Sequence, residues 1–190
     1  MSRPFAMTAD GLERHRFSVG DVDRMIEAGV INAEGRWELI NGDIVPMAAQ
    51  YLPHARMVAR LFRQIDSAID PKAHEVFLGA TVELSPFSRV DPDIYVASAS
   101  IDSRIVQAID VLWAIEVSDA TRRKDLTVKA ALYATAGIPE YWVVDIEARV
   151  THIHRGPSAG GWTAPIIEAP FDAAIAPAAF PDLNLTLALL

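Results

Sequence analysis

The sequence predicts a mixed α/β (α+β) fold, a mixed central β-sheet flanked by helices, and three observations lead to it. Short apolar runs bounded by turn residues recur along the chain, the pattern expected of strands. Two segments, "HARMVARLFRQIDSAID" and "TRRKDLTVKAALYATAG", instead repeat their apolar residues at helical spacing. The second of these lies between two strand patterns, "VLWAIEVS" and "EYWVVDIE", as a strand–helix–strand unit. Combined with hairpins elsewhere, that unit makes the sheet mixed.

Taken in order, "FSVGDVDRMIEAGVI" reads as a short helix. Ser18 caps it, Asp21 three residues on completes a capping box, and Gly29 ends it. "RWELINGDIVPM" reads as a hairpin, because Asn41-Gly42 between two short runs signals a two-residue turn. The arginine-bearing helix starts near Pro53 and stops before Pro71. "HEVFLGATVELS" is a strand region interrupted at Gly79, followed by the strand "VDPDIYVAS". A polar connection over 98–110 leads into "VLWAIEVS". Asp119 or Thr121 caps the next helix, and Gly137 with Pro139 stops it. "EYWVVDIE" and "RVTHIHRG" form a pair, a further strand lies near Trp162, and "LNLTLAL" supplies a last one.

At 190 residues the chain can bury one real core, and its 51% hydrophobic and 22% charged residues suit a globular protein. The absence of cysteine excludes disulfides and thiolate metal sites. No continuous apolar h-region opens the chain, and prolines and Asp182 break the apolar tail. Neither a secretory signal nor a membrane span is expected, which points to the cytoplasm. A net charge of -8 speaks against coating nucleic acid by bulk attraction. It is compatible with a carboxylate-rich metal site, where a bound cation offsets the charge locally. Any nucleic-acid surface is then a local patch. Arg56, Arg60 and Arg63 form one candidate, against the plainer reading of a solvated helix face.

The chemistry concentrates between Val90 and Tyr141. Asp93 follows a proline at the start of one strand, and Glu116 lies near the end of another that is mostly apolar. Asp93 has the alternative of a turn aspartate, whereas an acid inside "VLWAIEV" is buried and needs a partner. Two carboxylates at strand ends suit magnesium, which takes oxygen ligands, and the Val117 carbonyl supplies a third. At about 100° per residue, Leu126, Ala130, Tyr133 and Gly137 form the inward stripe of the helix. Lys129 falls within that stripe and Lys124 nearly opposite it. A buried ammonium is costly unless carboxylates surround it; the alternative is a lysine snorkelling past the helix edge. Arg122 shares the stripe in the first turn, where it can reach a phosphate. His152 and His154 share a strand face, a weak metal signal beside the plainer reading of exposed strand residues.

The ordered series "WELINGDI", "DPDIYV", "AIEVSDAT", "KDLTVKAALYATAGIPEYWVVD" and "FPDLNLTLAL" resembles the Uma-two family of putative restriction endonucleases, from about Arg36 to the C-terminus. The family in turn is similar to the PD-(D/E)xK nucleases. The resemblance implies one restriction-endonuclease-like domain over 1–190, with 1–35 an N-terminal extension and 36–190 the core. Residue by residue, it matches Asp93 to the "PD" aspartate and Glu116 to the acid of "ExK". Ser118 stands where the lysine is expected, and Lys129 on the following helix matches its replacement. Glu38 matches an N-terminal acid supporting the metal site, although it and Asp43 also bracket the hairpin turn. Asp125 and Tyr133 match positions that support Lys129, and Asp125 also suits the helix dipole. His54 matches a family histidine and reads here as a helix-start residue. The implied function is hydrolysis of DNA phosphodiester bonds with Mg2+ or Mn2+, by a homodimer because two strands need two sites. Two other readings stay open: a nuclease fold with weak or no catalysis that serves binding or assembly, and a metal-dependent phosphoesterase acting on RNA or small phosphate esters.

Overall fold

The computed structural model describes residues 5–7, 11, 13–33, 35–119 and 121–188. The first half holds β1 (Phe5–Met7), β2 (Glu13–His15), α1 (Val19–Glu27), β3 (Trp37–Ile40), β4 (Asp43–Pro46) and α2 (Leu52–Asp66). Then come β5 (His74–Leu78), β6 (Val82–Ser85), β7 (Ser88–Val90), β8 (Ile94–Ser98), β9 (Val106–Gln107) and β10 (Val111–Ser118). A π-helical stretch (Lys124–Lys129) runs directly into α3 (Ala130–Ala136). The chain continues through β11 (Glu140–Asp145), β12 (Val150–Arg155), β13 (Pro157–Ser158), β14 (Gly161–Trp162) and β15 (Ile167–Pro170).

Six strands form the central sheet in the order β15-β12-β11-β10-β8-β5. Within this sheet the β10–β11 pair alone is parallel among the described residues, because the helix between them provides the long crossover that parallel strands require. Both faces are covered, which explains why β10 is almost continuously apolar. On one face Met57, Leu61 and Ile65 of α2 pack on Trp113, Ile115 and Trp142, with Phe171, Leu185 and Leu187 closing the layer. On the other, Ala130 and Tyr133 of α3 meet Ala114, Tyr141 and Val143 beside Val82 and Val90. Those two valines belong to a second sheet, ordered β4-β3-β7-β6-β9, which brings β3 and its Glu38 over the C-terminal end of β10.

Local signals act as the sequence predicts. The Ser18 hydroxyl accepts from the Asp21 N–H at 3.1 Å, and the Asp21 carboxylate accepts from the Ser18 N–H at 2.8 Å. Asn41 and Gly42 have φ of 52° and 86°, the left-handed pair of a type I′ turn. Gly79 separates β5 from β6, which join different sheets. Gly137 ends α3 in the left-handed conformation.

Three expectations need correction. The described part of "LNLTLAL", residues 183–188, is not a strand; one isolated bridge, Ile175 to Leu185, ties it to the chain. Its alternation is real, but Leu183, Leu185 and Leu187 use it to cap the core without a ladder partner. The 98–110 connection contains β9 and a 3-10 turn at Ala108–Asp110. No side-chain cap opens the π-helical stretch; the Thr121 hydroxyl donates to the Asp125 carboxylate instead. Among the described residues no helix is long and apolar enough to cross a membrane.

Candidate active site

Sheet register brings the two principal acids together. In the antiparallel β8–β10 pair Ile94 lies opposite Ile115, so one further step sets Asp93 beside Glu116. There β8 has ended, and the Asp93 carboxylate takes its place by accepting the Val117 N–H at 2.8 Å. Along a strand the N–H and C=O of one residue point the same way, so the Val117 carbonyl faces the Asp93 side too. Gln50 donates to Asp93 Oδ1 at 3.0 Å, and His54 Nε2 lies 3.0 Å from Oδ2.

Lys129 joins these acids to the second sheet. Its Nζ lies 2.7 Å from Glu116 Oε1 and 2.7 Å from Glu38 Oε1. Tyr133 Oη donates to the same Glu116 oxygen at 2.8 Å. Lys129 is 3% exposed, so the two carboxylates are what make the burial of its ammonium tolerable. Burial alone would lower the Lys129 pKa, but the charges of Glu116 and then Glu38 outweigh it and raise it. Burial pushes the Glu116 carboxyl well above the usual range; Lys129 opposes this, and Asp93 adds to it. For Glu38 burial also acts upward, yet Lys129 and Lys124 together bring its carboxyl below the ordinary value. Tyr133 is raised, chiefly by burial, and stays a protonated donor.

Lys124 overturns its expected position. It does not point away: its Nζ lies 3.0 Å from Glu38 Oε2. The reason is the helix type. The Ala130 N–H bonds to the carbonyl of Asp125, an i to i+5 step of a π-helix. Residues five apart, which diverge by about 140° on an α-helix, then stack on one side. Long-range bonds fasten this stretch: Tyr141 Oη donates to the Asp125 carbonyl at 3.0 Å and Trp162 Nε1 to that of Ala130 at 2.9 Å.

The acids and lysines line a cleft with about 40 Å³ of free space. Asp91, Asp93, Glu116, Asp119 and Asp125 line it with Arg36, Lys124 and Lys129, and Glu38 touches both lysines. Carboxylates outnumber the cations there, so a divalent cation suits its charge. Among the described residues no three His, Asp or Glu side chains converge on one point as a ready-made metal cage. In chemical type, the Asp93 and Glu116 carboxylates and the Val117 carbonyl are the oxygen donors that magnesium takes, usually one or two carboxylates with water and phosphate completing its shell.

Comparison with known proteins places the chain. The Uma2 family model, described as "Putative restriction endonuclease", matches residues 20–188. The chain belongs to this family. It is similar to the crystal structure of "a putative nuclease belonging to DUF820" from Anabaena variabilis ATCC 29413, with a TM-score of 0.72. The match covers 90% of this chain and 96% of that one at 18% sequence identity, a likeness of fold. No curated protein matches. The mixed sheet flanked by helices is thus a nuclease fold carried by a Uma2-family chain.

Of the residues singled out in the sequence, Asp93, Glu116, Val117, Lys129, Glu38 and Tyr133 meet at this cleft. Asp125 lines it but does not bond Lys129; its Oδ2 accepts from Ser118 Oγ at 2.6 Å and from Thr121. Arg122, Arg56 and Arg60 do not line it. Arg122 is ion-paired with Asp145 instead. Arg56 and Arg60 flank the buried α2 stripe and do not line the cleft. His54, on that stripe, starts α2 and also reaches Asp93. His152 and His154 are buried, not exposed, because β12 lies inside the sheet between β11 and β15. Asp91, Gln50 and Arg36 were not foreseen. Asp91, two residues before Asp93, was the one with a visible signal.

Proposed function

We propose that the protein is a magnesium-dependent endonuclease that hydrolyses DNA phosphodiester bonds, with manganese able to substitute. Asp93, Glu116 and the Val117 carbonyl are the residues that hold the metal. When bound there, the cation supplies positive charge to the phosphate and lowers the pKa of the attacking water. Lys129 is held charged by its acidic neighbours, so its role is to donate toward developing negative charge rather than to remove a proton. Glu38 and Tyr133 fix the position of that ammonium, and His54 with Gln50 fixes the Asp93 carboxylate. Asp125 adds negative charge behind Lys129. A homodimer, acting in the cytoplasm, provides one cleft for each strand of a duplex.

The observation that carries this reading is the meeting of Asp93 and Glu116 in register, with Lys129 clasped beside them, in a chain of the Uma2 family. The test is magnesium-dependent cleavage of plasmid DNA, run beside single-stranded DNA and RNA. Asp93→Ala and Glu116→Ala are expected to abolish cleavage while the circular dichroism of the fold persists. Cleavage that survives both substitutions refutes the assignment. A protein that binds duplex with a steep salt dependence yet cuts nothing is instead a binding module.

A further inference from the structure

Resting on the nuclease reading above, we propose that Lys124 binds a substrate phosphate at the mouth of the cleft. The π-helical stretch brings it there. Three cations line the cleft: Arg36, Lys124 and Lys129. Lys129 is committed, with two carboxylates at 2.7 Å and a side chain 4% exposed. Lys124 is different. It lines the cleft, its side chain is 25% exposed, and it meets Glu38 Oε2 at 3.0 Å, one contact for an ammonium with three donors. Glu38 therefore holds Lys124 in place without using it up. The arginines first suggested for this role lie elsewhere: Arg122 is tied to Asp145, and Arg56 and Arg60 do not line the cleft. In an acidic protein, a phosphate approaching Asp93 and Glu116 needs a cation at the entrance. Lys124 meets that need beside the reacting centre.

The test is duplex binding, read by anisotropy of a short fluorescein-labelled DNA in calcium, which takes the same oxygen ligands as magnesium. One phosphate contact contributes about 0.9 to the slope of log K against log salt, so losing it weakens binding roughly 8-fold at 0.1 M. Lys124→Gln is expected to show that loss and a slope shallower by about one, uniformly across sequences. Lys124→Arg restores both, and Arg56→Gln and Arg60→Gln change neither. Thermal melting of each variant separates lost binding from lost fold; if Lys124→Gln does not fold, the proposal stands or falls on Lys124→Arg retaining wild-type affinity and slope. Wild-type affinity and slope in a folded Lys124→Gln protein overturn the proposal and leave the nuclease reading intact. A wild-type protein that binds no DNA or RNA at all overturns both.

Discussion

Replacing Lys129 by methionine keeps the length of the side chain and removes the charge, which isolates what the ammonium does. It leaves Glu38 and Glu116, 1% and 4% exposed, without the cation that each meets at 2.7 Å. Removing one partner of a buried ion pair costs about 3–5 kcal/mol. Relief comes from two sides here: Lys124 still pairs with Glu38, and Glu116, whose carboxyl burial already pushes up, can take a proton. The expected loss is therefore about 3 kcal/mol above neutral pH and about 1–2 kcal/mol near pH 5. The sign follows from linkage. An acid with a raised folded pKa favours folding while protonated, and that stability is lost as pH climbs from its unfolded value to its folded one. Without Lys129 to oppose the rise, this window widens upward. Urea unfolding at both pH values measures the difference, and adding Glu116→Gln is expected to return at least about 1 kcal/mol at the higher pH. An equal loss at both pH values, or no recovery in the double variant, would refute the claim that these carboxylates hold the ammonium inside.

Further outcomes follow from the same geometry. Lys129→Ala is expected to lower turnover by about 100-fold or more, the scale of a lost electrostatic stabiliser, while Lys124→Ala acts mainly on KM; equal effects on turnover count against the separate roles. Magnesium is expected to raise the melting temperature of the wild type by mass action, and Asp93→Asn and Glu116→Gln to abolish that rise; a shift retained in both places the metal elsewhere. Burial, helped by His152, holds the His154 pKa down to about 4, neither ring nitrogen has a hydrogen-bond partner among the described residues, and the ring stacks on Tyr141 at 5.6 Å and meets Trp162 in a tilted contact at 5.6 Å. A depressed histidine favours the fold while neutral, so stability falls as pH drops from 6.5 toward about 4, by about 1–2 kcal/mol after allowing for solvent screening. His154→Phe is expected to remove that acid limb in pH-dependent melting, and an unchanged profile shows that another group carries it.

What the sequence makes legible here is what depends on local periodicity. The nearly continuous apolar run around Glu116 marks a strand buried on both faces, and Pro92 before Asp93 marks where β8 begins, so both acids can be set at strand ends before their register is known. The Ser18 box and the Asn41-Gly42 turn were readable because side-chain and backbone chemistry within four residues decides them. Lys129 was legible for the same reason: within "VKAALYATAG" the helix is α-helical from Ala130 onward, and Lys129 and Tyr133 align one turn apart. Lys124 was not legible. Its position depends on one i to i+5 turn, held by Tyr141 from β11 and Trp162 from β14, neither of which is near it in sequence. Glu38 is marked in the sequence through the family resemblance, but its meeting with Lys129 needs two sheets to pack. Periodicity thus identifies which side chains are turned inward, whereas the second lysine of the cleft is placed by bonds from side chains 16 and 32 residues away from the carbonyls they hold. A site of this kind can keep every recognisable acid in the sequence and still lose its substrate contact through a substitution at Tyr141 or Trp162, positions that packing alone would rank as ordinary core.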